Sequence, residues 1–312
     1  MSPRERSMVP EPEFESYYGR PILKPPTWKV PDVPFYLFVG GLAGASAVLA
    51  EGAALRDLPG LERVARLAAA GGAAAGTVAL VHDLGRPERF LNMLRMFKPT
   101  SPLSVGSFIL APFSGLSAAA AGSNLTGWFP RLGRLAGLGS AAFGPPLATY
   151  TAALIANTAV PAWHDAHREL PFVFAGSGAT AAGGLGMLLA PAAQNGPARR
   201  MAIAGAGLEI TAAELLLHRL GIVAEPYQQG RPGRLMRAAR AMTAGATVAS
   251  LAGGRNRVVS ALAGATYIAA SLMTRFGIFE AGVASSKDPK YTVVPQRERL
   301  RRREPEPHRT RS

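Results

Sequence analysis

Hydrophobic and polar positions alternate along this chain on a scale of tens of residues, not with the period of a strand or a surface helix. Eight mainly apolar runs lie near 33–53, 64–84, 103–122, 135–159, 170–190, 201–220, 236–253 and 258–279. Each approaches the ~20 residues that a helix needs to cross hydrocarbon roughly 30 Å thick. The pattern predicts an all-α fold: a polytopic transmembrane helix bundle of about eight spanning helices. The second and seventh runs are rich in Ala and Gly and poor in Leu, so they are the weakest of the eight. Three parts follow from the same pattern. Residues 1–32 form a polar N-terminal tail, residues 33–282 the transmembrane bundle, and residues 283–312 a basic C-terminal tail expected to be disordered.

Composition alters this picture only in detail. Mean hydropathy is +0.13, low for a membrane protein, because the apolar middle is averaged with Pro/Arg-rich ends. The 35 glycines lie largely inside the apolar runs, where small residues let helix backbones approach closely. A net charge of +14 would suggest nucleic acid in a soluble chain. Here most basic residues lie between apolar runs or in the tails, where cytoplasmic loops and anionic lipid account for them, and no nucleic-acid partner is expected. The chain has no cysteine, so disulfides, thiolate-bound zinc and self-held iron–sulfur clusters are excluded, and no metal site is expected. Residues 1–30 show neither a signal-type apolar core nor a twin-arginine motif, so the first spanning helix is expected to direct insertion. Counted near the helix ends, one side carries about 15 Lys/Arg and the other 9. That bias places both termini in the cytoplasm, with the chain in the cell (inner) membrane.

Ionisable residues inside membrane spans are costly and mark candidate sites. Mapped onto this topology, they gather on the terminal side. Tyr36 opens the first helix there. His82, Asp83, Arg86 and Glu88 close the second. Tyr150 and Asn157, seven apart and so on one helix face, point that way from the fourth. Glu214 and His218, at i and i+4, end the sixth, and Arg275 ends the eighth. Glu209 lies near mid-depth, and Glu51 is the main acid toward the opposite side. Bland readings stand beside these. The tyrosines also fit an interfacial aromatic belt, Asp83, Arg86 and Glu88 a salt-bridged helix end, and Glu214 with His218 a solvated one. Glu209 is harder to dismiss, because a mid-span carboxyl needs a partner or a proton.

Haem requires axial ligands, usually His on facing helices, and only His82 and His218 lie near spans, both at the edge. No phosphate loop or nucleophile arrangement stands out. An apolar cleft with a few Tyr, His and carboxylate groups suits a quinone. Its carbonyls accept hydrogen bonds, and its reduction takes up protons that acids must relay.

Several motifs together carry a resemblance. They are Tyr17-Tyr18-Gly19-Arg20-Pro21 with Lys24-Pro25-Pro26, residues 36–45 (YLFVGGLAGA), residues 83–90 (DLGRPERF) continuing through Pro99-Thr100-Ser101-Pro102, and Thr149-Tyr150-Thr151. Over residues 17–280 the chain resembles the NrfD/PsrC family, the quinone-reactive membrane subunits of molybdenum-enzyme and related respiratory complexes. The resemblance implies a division of labour. A molybdopterin-type catalytic subunit exchanges electrons with a ferredoxin-like iron–sulfur subunit, which docks on the membrane chain and passes electrons to or from menaquinone or ubiquinone. No haem or cluster is then expected on this chain. The resemblance also implies a quinone site at Tyr36 and Tyr150, with His82, Arg86 and Asn157 nearby. Asp83, Glu88, Glu209, Glu214 and His218 become proton-relay candidates. Where other members carry a histidine in the first helix, this chain has Tyr36. Relatives often have periplasmic soluble subunits, whereas the charge bias here puts the polar face in the cytoplasm.

Two other classes of function compete with a quinone-oxidoreductase subunit. A secondary transporter or ion-translocating protein would show inverted repeats and a midplane site, and no clear repeat is visible. A purely structural anchor for the soluble enzyme would leave the tyrosines and acids dispensable.

Overall fold

The computed structural model describes residues 22–84, 93–253 and 256–303. Among them eight long helices follow one another: α1 (Asp32–Ala54), α2 (Pro59–Leu84), α3 (Pro102–Thr126), α4 (Pro130–Ala156), α5 (Leu170–Leu189), α6 (Gly196–Leu220), α7 (Gly230–Gly253) and α8 (Arg257–Lys287). A ninth helix, α9 (Lys290–Arg303), follows α8. No strand occurs among the described residues. Six of the eight, α1, α2, α3, α5, α6 and α8, are both long and apolar enough to cross a membrane. α4 and α7 have the length without the apolarity. α4 opens with Arg131 and Arg134, and α7 with Arg231, Arg234, Arg237 and Arg240.

Each apolar run is one helix, because hydrocarbon leaves a backbone no water to bond and each segment must satisfy its own polar groups. Local residues set the ends. Ser101 caps α3 by accepting from Ser104 N–H, with Pro102 behind it. Asn256 caps α8 by accepting from Val258 and Val259. α8 continues to Lys287, eight residues past the end expected from hydropathy, so Arg275 lies well inside it and not at its end. Residues 290–303, read from composition as part of a tail, are helical. α9 is tied back by Lys290 Nζ donating to Glu225 Oε2 (2.6 Å).

The bundle is built around α1 and α5. α1 packs against α2, α4, α5 and α8, and α5 also packs against α6 and α8. Small residues permit this density. At four crossings a glycine meets a glycine: Gly41 with Gly178, Gly44 with Gly144, Gly176 with Gly205, and Gly184 with Gly264. A side chain at any of these positions except Gly41 would run into backbone of the facing helix. Leu138, Val248, Leu251, Val258 and Leu262 face outward, as lipid-facing residues should. In place of a loop, residues 160–169 hold Trp163 at 0% exposure, its indole N–H donating to Ile278 O (2.8 Å).

Candidate functional site

Tyr36 lies in the second turn of α1 and Tyr150 near the end of α4. Their rings meet edge to face, 6.5 Å between centroids. Tyr36 is 3% exposed and packs beside Gly76 of α2. Tyr150 is half-buried, its ring lying on Gly106 of α3, where a Cβ would collide with it. Four helices thus position two phenols, and the glycines on α2 and α3 leave room for the rings.

Above this pair, the end of α2 is fastened to the segment leading into α1. Asp83 Oδ1 accepts from Lys29 backbone N–H (3.0 Å), and Lys29 Nζ donates to His82 O (3.1 Å). His82 Nδ1 lies 2.7 Å from Asp32 Oδ2 while the ring itself is largely exposed. Trp28, in the same segment, stacks on Trp163 at 5.6 Å. Asp83 therefore has a structural partner, which the sequence did not reveal. Arg86 and Glu88 lie outside the described residues. Asn157 is the C-cap of α4, its N–H donating to Ala153 O (3.0 Å), and is exposed.

A second group lies among α5–α8. Glu209, Glu214 and His218 all line one cavity of about 600 Å³, together with Thr243 of α7 and Thr274 of α8. At a rise of about 1.5 Å per residue, Glu214 and His218 stand roughly 7.5 and 13.5 Å along α6 from Glu209. Glu209 is buried, its Oε1 accepting from Thr274 Oγ1 (2.8 Å) and its Oε2 without a partner. Glu214 is paired with Arg240 of α7, and His218 is exposed at the helix end. The polar residues expected in one constellation thus fall into two groups, and neither tyrosine of the pair lines the cavity.

Between the groups lies Arg275, fully buried. Its Nη2 donates to Phe174 O (2.7 Å), and its guanidinium sits 3.7 Å from the Phe174 ring centre, a cation–π contact. Nε and Nη1 have no partner. Gly41 lies opposite, where a Cβ would stand 2.8 Å from Nη2 and the guanidinium would have to shift. An arginine within an apolar run was the available signal, but its depth depended on where α8 ends. Sequence reasoning also missed the ion pairs at the other face. Arg66, 5% exposed, donates to Glu51 Oε1 (2.9 Å) and Glu62 Oε1 (2.7 Å).

These features define a multi-pass helical membrane protein with a tyrosine pair near one face and a buried acid beside a cavity. The chain belongs to the polysulphide reductase NrfD family, whose model matches residues 24–213. Members of that family are membrane subunits of quinone-interacting oxidoreductase complexes, generally partnered by iron–sulfur and molybdopterin subunits. The match takes in Tyr36, Tyr150 and Glu209 and ends just before Glu214. Comparison with individual curated proteins gave no match.

Proposed function

We propose that this chain is the quinone-reactive membrane subunit of a respiratory oxidoreductase complex. It exchanges electrons between a docked ferredoxin-like iron–sulfur subunit, served by a molybdopterin-type catalytic subunit, and menaquinone or ubiquinone. The observation that carries this reading is the Tyr36–Tyr150 pair inside the family-matched region. A quinone head needs an apolar slot with a donor for each carbonyl, and two phenol hydroxyls held by four helices supply such donors. The partner would dock on the terminal face. The docking surface would be the Tyr17–Trp28 segment with the loop of Arg86, Glu88, Arg89, Arg95 and Lys98; residues 17–21, Arg86, Glu88 and Arg89 lie outside the described residues, and Trp28 stacks on Trp163.

Reducing a quinone to a quinol takes up two electrons and two protons. The electrons come from the partner. The acids of α6 offer a route for protons, from the exposed His218 past Glu214 to the buried Glu209, along a cavity roomy enough for water. Asp83, tied to Lys29 just before α1, and Glu88 would complete the proposed relay near the tyrosine pair, and His82 and Arg86 belong to the proposed quinone site.

Tyr150→Phe removes one hydroxyl and almost no volume, so the bundle should survive. Leaving a quinone carbonyl without its donor costs about 1–3 kcal/mol, a fall of roughly five- to 150-fold in quinone-linked turnover. Turnover with a soluble artificial acceptor, which bypasses the membrane step, should stay at the wild-type level. Full quinone reduction by both Tyr150→Phe and Tyr36→Phe would mean that the site is misplaced. One observation favours a second reading, in which the quinone head enters the α5–α8 cavity. Its 600 Å³ lies within the roughly 300–1,000 Å³ of small-molecule sites. In that case Leu217→Trp abolishes quinone turnover and the tyrosine variants leave it intact.

A further inference from the structure

The face opposite the tyrosine pair carries a second pocket that the proposed electron path does not use. It holds about 340 Å³ between the end of α3 and the starts of α2 and α4. Arg66, Arg131 and Arg134 line it with Glu62, Ser123 and Asn124. Arg66 is neutralised by its bonds to Glu51 and Glu62. Arg131 and Arg134 are exposed and form no ion pair among the described residues. Three guanidiniums against two carboxylates leave the pocket with one positive charge in excess. The first turn of α4 adds backbone N–H groups with no side-chain cap. Acidic partners of the protein are thus already spoken for, and the two free arginines await an anion.

The surroundings identify the anion's carrier. Trp128 is 72% exposed and Phe129 71%, and both stand at the tip of the α3–α4 hairpin. Leu125, Leu132 and Leu135 beside them are also exposed. Water does not favour five large apolar groups on one hairpin end, but the boundary between headgroups and hydrocarbon does, and Trp is characteristic of it. Guanidinium is the donor best matched to a phosphate, through two parallel N–H bonds.

We infer that this pocket binds the phosphodiester headgroup of an anionic phospholipid, with its acyl chains running down the exposed leucines of α3 and α4. Bound there, the lipid would fasten the α3–α4 hairpin, and with it the helix bearing Tyr150, to the membrane surface.

The test uses the full chain, purified in mild detergent and stripped of lipid. Native mass spectrometry then measures binding of added phosphatidylglycerol or phosphatidylcholine. Wild type should retain phosphatidylglycerol selectively. Each basic residue at a membrane surface is worth about 1 kcal/mol, so Arg131→Gln with Arg134→Gln should weaken that retention about tenfold or more. Arg131→Lys with Arg134→Lys keeps the charge, reports on folding, and should retain most binding. Arg199→Gln with Arg200→Gln removes the same charge from the start of α6 and should change nothing. Equal retention by the Arg131/Arg134 glutamine variant, or equal loss in the Arg199/Arg200 variant, overturns the proposal. Excess inorganic phosphate should leave the lipid in place, and its displacement would assign the pocket to free phosphate instead.

Discussion

At the scale of single residues, the least comfortable groups in the protein are Glu209 and Arg275. Both are buried within spanning helices, both keep unpartnered polar atoms, and no ion pair joins them among the described residues. Structural reasons alone would not favour them, since a well-packed apolar pair of similar volume usually serves stability as well or better. The proposed proton relay would give Glu209 a reason to persist, because a relay needs a carboxyl that can take up and release a proton. Glu209→Gln keeps the size and can still accept from Thr274. It should leave stability in detergent near that of wild type while lowering quinone-linked turnover at least about tenfold, with little change in the KM for quinone. Wild-type turnover in this variant would remove Glu209 from the path.

At the scale of elements, helix packing here depends on backbone meeting backbone. Gly44 of α1 and Gly144 of α4 approach so closely that a Cβ on either would strike the other's carbonyl. In lipid there is little hydrophobic drive to bring helices together, so association rests on such close contact and on bonds between polar groups. Ser177 of α5 and Ser271 of α8, 2.8 Å apart, are one such bond. Gly144→Leu should therefore separate α1 from α4, cost about 1–3 kcal/mol or more, and lower the melting temperature of the detergent-solubilised protein. Gly115→Leu on α3 adds the same side chain where nothing lies within 4 Å, and should melt like wild type. Equal melting of both variants would show that the α1–α4 contact contributes little. Tyr36 and Tyr150 sit on these same two helices, so the glycine contact also sets how the phenols meet.

At the scale of the whole molecule, eight crossings would return the C-terminus to the side of the N-terminus, and we propose from the excess of basic residues there that this side is cytoplasmic. Reporter fusions after Ser312 and within residues 127–134 should report opposite sides, the first of them cytoplasmic. A periplasmic C-terminus would invert the orientation and place the tyrosine pair on the outer face. The two arginine-rich helices, α4 and α7, make this a real test, since their composition alone does not require them to cross.

Hydropathy adds up along the chain, so the sequence alone determined the class and the number and approximate placement of the long helices, while local motifs carried the resemblance to the family. Tyr36 and Tyr150 were also legible, through motifs whose spacing is local. Three things were decided only by tertiary structure. Asp83 binds the backbone of Lys29, Arg275 is buried against Phe174 and Gly41, and the acids of α6 line a cavity apart from the tyrosines. Each depends on which distant helices touch and at what depth. That choice is made by glycine-to-glycine fit and by the pairing of polar groups across helices, and neither leaves a periodic trace in the chain. The end of α8 shows the limit most plainly. Hydropathy stops at Phe279, but packing against the residues around Trp163 carries the helix on to Lys287, and that extension turns an arginine expected at the rim into one held in the interior.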